Sequence, residues 1–227
     1  MSLRDQLKAS SREERAKLKT MSWKDRFWYI WEYYKIHLLG LVILGCVIYL
    51  IATIIYNQTF DDQLYYVVMN NENPSGSDFE EFDQAFKDYM GYGKKDRITA
   101  DGSVYLDFSQ ASSDAFAYMT KVSALVSSRE LDIIIADPDT FDHYAESDAF
   151  LNLEEALPDD LWEALKDDVH VAVDGSGNQI PCGIDISQSR FPQETGVTIS
   201  PSCCFGIVSN SERTDTAISW LRFIFDQ

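Results

Sequence analysis

The sequence predicts an α/β domain, a mainly parallel sheet with helices on both faces, preceded by a single transmembrane helix. Three observations carry this. Leu38 to Tyr56 is a run of 19 residues without a charge. Beyond it, short apolar segments alternate with segments of helical periodicity. Leu131–Ala136 (LDIIIA) is short, branched and nearly continuous in apolar character, the signature of a strand buried on both faces.

At about 1.5 Å rise per residue, the uncharged run spans the roughly 30 Å hydrocarbon core of a bilayer. Nine bases precede it, four of them between Lys19 and Lys35, and the next basic residue beyond it is Lys87. The positive-inside rule then places residues 1–22 in the cytosol as a basic segment, 38–56 in the membrane and 57–227 outside the cell. A secretory signal has a short basic region and a small-residue cleavage site. Here 36 or so residues precede the run and no A-x-A follows. Ile43-Leu44-Gly45-Cys46 faintly resembles a lipoprotein box, yet the run continues ten residues past Cys46. Residues 23–37 form an aromatic and basic approach to the membrane. Trp23, Trp28, Trp31, Tyr34 and Lys35 suit the headgroup level, where Trp and Tyr prefer to sit and Lys snorkels. The alternative use of that stripe is docking another membrane protein.

Charge divides the chain. Residues 1–37 carry nine bases and five acids, a net +4, whereas the remainder carries a net −22. An exterior this acidic argues against a nucleic-acid partner, because such binding rests on neutralising phosphates. Of four cysteines, Cys46 lies in the anchor and Cys182, Cys203 and Cys204 outside it, where a disulfide is chemically allowed. Cys203 and Cys204 point to opposite faces of a strand, so at most one can meet Cys182. A Cys182–Cys203 bridge and buried free thiols both remain open.

In the exterior, Leu64–Met69 (LYYVVM) reads as a strand and Ser77–Met90 as a helix, with Phe79, Phe82 and Phe86 on one face. Val104–Phe108 reads as a strand, and Ser112–Ser128 as a helix with Phe116, Met119, Ser123 and Val126 in one stripe. After Leu131–Ala136, two short helices near Pro138–Glu146 and Pro158–Lys166 each take Pro as a first helical residue. Val169–Val173 and Gln179–Ile186 form a strand pair around Asp174-Gly175-Ser176-Gly177-Asn178. Thr198–Val208 is a further strand and Arg213–Phe225 an amphipathic closing helix.

Catalytic signatures are missing: there is no G-x-G-x-x-G, Walker A loop, G-x-S-x-G or H-E-x-x-H. No enzyme activity and no cofactor is expected. Asp137-Pro138-Asp139, with Asp142 and His143, could gather a metal, but capping a helix and complementing its dipole is the simpler role. Asp174 to Asp185 partly matches a calcium loop, but has Gln179 where Gly is needed and strands on both sides. A hairpin turn accounts for it better.

The segment 128–161 resembles the first lobe of bacterial extracellular solute-binding proteins of ABC transporters, the type II periplasmic-binding-protein-like family. The shared features are a helix leading into a D-[IV]-[IV] strand (Asp132-Ile133-Ile134), an Asp-containing loop, a helix, and a G-x-L-x-[DN]-L-like run at 148–153. Asp174–Pro181 is similar to that family's DGK-x-Y-G-I-P hairpin, and 203–223 to its later strand and helix. The likeness covers about 150 residues at the level of pattern. It implies a binding fold and names no ligand. In that family the chain crosses to a second lobe after the G-I-P strand. Here only Ser187 to Thr198 intervene, so a single lobe is expected. Trp28–His37 resembles uncharacterised single-pass proteins of Gram-positive anaerobic bacteria, which implies location and no activity.

In open parallel sheets, ligands sit beyond the carboxyl ends of the strands. Those positions are Asn70 and Asn71, Ser109 and Gln110, and Asp137 and Asp139. The amides and hydroxyl donate and accept while the carboxylates only accept. That mixture suits a neutral or cationic polar small molecule bound weakly. The plainer alternative is that these residues cap loops and helices. Function is therefore expected to be a membrane-anchored binding or sensing accessory to a membrane complex. The alternative is a structural subunit that holds a membrane protein partner.

Overall fold

A computed structural model describes residues 22–108 and 113–226. The basic segment 1–21, and with it most of the expected cytosolic stretch, lies outside the described residues, as do Ser109, Gln110 and Ser112. The chain divides into two compact units, ending and beginning at Thr59 and Phe60.

The first unit contains helix α1 (Trp23–Asn57), unbroken through the aromatic approach and the uncharged run. Its segment Lys35–Asn57 is long and apolar enough to cross a membrane, and none of its apolar window is buried. Trp23, Trp28, Trp31 and Lys35 are exposed on it, while the side chain of Tyr34 lies outside the described ones.

The second unit is an α/β domain with elements β1 (Asp61–Met69), α2 (Glu80–Met90), β2 (Asp96–Val104), α3 (Ser113–Ser127), β3 (Ile133–Ala136) and α4 (Pro138–Ala145). Then come α5 (Leu153–Ala156), α6 (Asp159–Leu165), β4 (Val169–Val173), β5 (Gln179–Asp185), α7 (Arg190–Thr195), β6 (Cys204–Ile207) and α8 (Thr214–Ile224). The strands form one sheet in the order β2-β1-β3-β6-β5-β4.

The sheet is mixed, which corrects the mainly parallel expectation. β1 pairs in parallel with β2 and β3. β6 inserts between β3 and β5 antiparallel to both, and β4 pairs antiparallel with β5. For β4 and β5 the physical reason is connection length: a parallel return needs a crossover of a dozen or more residues, and the five-residue turn 174–178 is too short for one. The antiparallel place of β6 is set instead by its pairing with β3, from Ile133 opposite Ile207 to Ala136 opposite Cys204.

Both faces of the sheet are covered. Leu64, Tyr66, Val68, Ile133, Ile135, Phe205 and Ile207 face a cluster completed by Phe82 and Phe86 of α2, Phe191 of α7 and Trp220 and Leu221 of α8. Val67, Met69, Ile134, Ala136 and Cys204 face the other, with Val122 of α3 and Phe141 and Ala145 of α4. The alternation follows from the two-residue period of a strand. All four residues of β3 are buried, as its composition predicts. With its own two-sided core, this unit has what an independent domain needs. At Gly206 of β6, a Cβ would lie 2.7 Å from Phe141 and Phe150, whose rings stack at 4.1 Å, so only glycine admits that pair.

Several expectations shift. β2 ends at Val104, where a strand was expected to start, because its polar sequence DRITADGSV suits an edge strand and carries no apolar run. In α3 the inward residue is Val122, with Ala115, Tyr118, Met119, Leu125 and Val126 partly packed; Phe116 is exposed. Pro158 caps α6 from outside instead of starting it. The short helices α5 and α7 were not expected from the sequence.

Candidate functional site

β1, β2 and β3 end at the same edge of the sheet because they run parallel. Beyond those ends lies a cleft of about 470 Å³ lined by Asn70, Glu72, Tyr105, Leu106, Asp107, Phe108, Asp137, Asp139, Thr140 and Ser200. Three of the sequence-predicted residues, Asn70, Asp137 and Asp139, meet there. Asn71 does not line it, and Ser109 and Gln110 lie outside the described residues.

Asn70 builds the cleft floor. It sits just past β1 with φ 55°, a left-handed conformation that Asn tolerates better than most residues. Its Oδ1 accepts from the Leu106 amide at 2.6 Å. Its Nδ2 lies within donating distance of the Leu106 carbonyl (3.0 Å), Asp137 Oδ2 (2.7 Å) and Thr140 Oγ1 (2.9 Å). One amide thus ties together the residues after all three strands. Asp137 is the N-cap of α4, accepting from the Thr140 amide at 3.0 Å through Oδ1. Pro138 follows as the first helical residue, where a missing N–H costs nothing.

Asn71 is buried and structural. Its Oδ1 accepts from the amides of Asn73 (3.1 Å) and Thr198 (3.0 Å), and its Nδ2 donates to Ser77 Oγ (2.8 Å). The capping role weighed in the sequence therefore describes Asn71 entirely, and Asn70 and Asp137 in large part. Asp139 is exposed on the first turn of α4. Tyr105 is 62% and Phe108 42% exposed, and Phe108 packs on His143 with ring centroids 4.0 Å apart. Glu72, Asp107, Asp137 and Asp139 make the lining acidic, with no Lys or Arg among the lining residues.

A second cleft, of about 350 Å³, lies near the start of β1 and β2, lined by Asp62, Tyr65, Arg97, Thr99, Glu130 and Arg213. Sequence reasoning missed it, since its residues come from four distant segments. The charges of Asp62, Arg97 and Arg213 are paired internally. Arg97 donates to both oxygens of Asp62 at 2.5 and 2.9 Å, and that bond holds the Asp62 carboxyl below the usual range. Arg213 donates to the fully buried Asp132 at 2.8 Å and to the Glu130 carbonyl at 2.6 Å. Asp132 also accepts from the Tyr65 amide and from Ser211 Oγ, so this cleft marks a structural clasp.

Cys182, Cys203 and Cys204 are free and buried. Cys182 belongs to the cluster that holds Cys204, while Cys203 faces the opposite one, so the Cys182–Cys203 bridge does not form. Burial pushes the Cys182 thiol up to about 11 and Cys204 to about 12, and raises Cys203 further, which leaves them unreactive near neutrality. The turn 174–178 uses the Asp174 carboxylate on the amides of Ser176 and Asn178, as a hairpin does. Among the described residues no group of three or more His, Cys, Asp or Glu side chains is placed to hold a metal.

Comparison of the chain with protein-family models, with curated proteins and with solved structures finds no match.

Proposed function

We propose that residues 57–227 form a non-catalytic, extracellular binding module of the solute-binding-protein type, reduced to one lobe. α1 anchors it in the cell membrane with the N-terminus in the cytosol. It serves as accessory or sensor to a membrane complex, an ABC transporter being the partner the resemblance implies. The observation that carries this reading is the strand-end cleft, where parallel strands deliver Asn70, Asp137 and Asp139 to one concave, solvent-open surface. Such convergence is where small-molecule sites form in α/β sheets. A single lobe covers a ligand from one side only, so affinity should lie in the micromolar to millimolar range, roughly −8 to −4 kcal/mol.

A melting-temperature screen of the full chain in detergent against sugars, dipeptides, amines and calcium tests the reading. A saturable upward shift for one class, lost in Asp139→Ala, supports it. No shift from any class contradicts it.

The second reading is a structural subunit that holds a protein partner. Exposed Phe116 on α3, with Val171 and Val173 exposed on the sheet-edge strand β4, favours it. Unpaired strand edges and apolar side chains of this kind are surfaces a partner covers.

A further inference from the structure

We infer that the strand-end cleft selects an organic cation, an ammonium group carried on carbon; this rests on the binding reading above and names its ligand class. Three observations converge. The first is the fate of the donors. The Asn70 amide, the residue best suited to a neutral sugar or peptide, is bonded to Leu106, Asp137 and Thr140. Asp137 is engaged by the same network, so the open carboxylates of the lining are those of exposed Glu72 and Asp139, which accept only, and the lining contains no Lys or Arg.

The second observation is aromatic. Tyr105 and Phe108 line the same cleft while 62% and 42% exposed. A ring face attracts a cation within about 6 Å of its centroid. Carboxylates and ring faces together match an ammonium group with an apolar body. An anion would be repelled by both.

The third observation separates an organic cation from a metal ion. Among the described residues no three acidic or imidazole side chains converge as a metal requires. The cleft, about 470 Å³, exceeds what a bare divalent ion needs and suits a small organic molecule. The positive end of α4 would favour an anion, but Asp137 caps it and Asp139 occupies its first turn, offsetting that field.

The test uses the full chain in a sugar-based detergent, so that no choline headgroup competes. Choline is titrated by calorimetry beside its uncharged isostere 3,3-dimethylbutan-1-ol. Saturable heat is expected for choline and none for the isostere. Tyr105→Ala and Asp139→Asn should each raise the dissociation constant about tenfold, while the melting temperature stays within that of the parent chain. Glu130→Gln, in the opposite cleft, should leave binding unchanged. Equal binding of the isostere, or choline binding indifferent to Tyr105→Ala, overturns the inference. Binding of maltose or glycylglycine that is lost in Asp139→Asn overturns the cation and leaves the binding reading standing. The absence of binding by every probe overturns both.

Discussion

Asn70 Nδ2 donates to Asp137 Oδ2 at 2.7 Å, joining the residue after β1 to the residue after β3 across 67 positions of sequence. Because the same amide accepts from Leu106, the three strand ends that shape the cleft share one side chain. Replacing Asn70 by Ala should lower stability by about 2–3 kcal/mol, since it orphans the Leu106 amide and the Asp137 cap and leaves a Cβ at positive φ. Urea unfolding of Asn70→Ala beside Asn70→Gly separates the two causes. If both variants unfold at the parent midpoint, the floor of the cleft is not held as described.

Why the sequence shows some of this and not the rest is a matter of range. The long apolar helix, β3 and the covered faces of β1 are legible because each is written in consecutive residues: the uncharged run, Ile133-Ile134-Ile135, and alternating Leu64, Tyr66 and Val68. β2 is not, because an edge strand needs few apolar side chains, and Asp101 and Arg97 there bond to partners elsewhere in the chain. The antiparallel placement of β6 depends on a pairing between segments 70 residues apart, invisible to local pattern. The strand-end rule gathered Asn70, Asp137 and Asp139. It could not tell that Asn71, one residue on, points its amide at Ser77 and Thr198.

The buried pair Arg213–Asp132 makes a second test of the fold. Asp132 is fully buried and receives three donors, so Arg213→Met leaves a carboxylate short of its charge partner. Stability should fall by roughly 3–5 kcal/mol. Asp132→Asn in the same background should recover part of that loss, by removing the unpaired charge. Recovery absent from the double variant would show that Arg213 acts by packing alone.

Asp83 supplies a pH dependence. Burial raises its carboxyl to about 6, against the ordinary 3.8, while the Tyr66 hydroxyl donates to it at 2.8 Å. The folded state therefore binds the proton more tightly than the unfolded one. This group's contribution is greatest below about pH 4 and is lost as pH rises through about 6. A shift of that size corresponds to at most on the order of 3 kcal/mol. In urea titrations, Asp83→Asn should match the parent near the acid end and exceed it above neutrality. A stability difference independent of pH would contradict the assignment.

The proposed topology rests on charge placement. Protease added to intact protoplasts should degrade the chain beyond residue 57 and spare an N-terminal tag. Loss of the tag under those conditions would reverse the orientation and move the acidic domain into the cytosol.

The most direct test of the central claim is where a ligand lands. Amide chemical shifts of the domain 57–227, followed while the strongest hit of the solute screen is added, should move at Asn70, Tyr105, Phe108 and Asp139. Those around Asp62, Arg97 and Arg213 should stay fixed. Shifts confined to the second group, or spread over the surface without saturation, would contradict a binding site at the carboxyl ends of β1, β2 and β3.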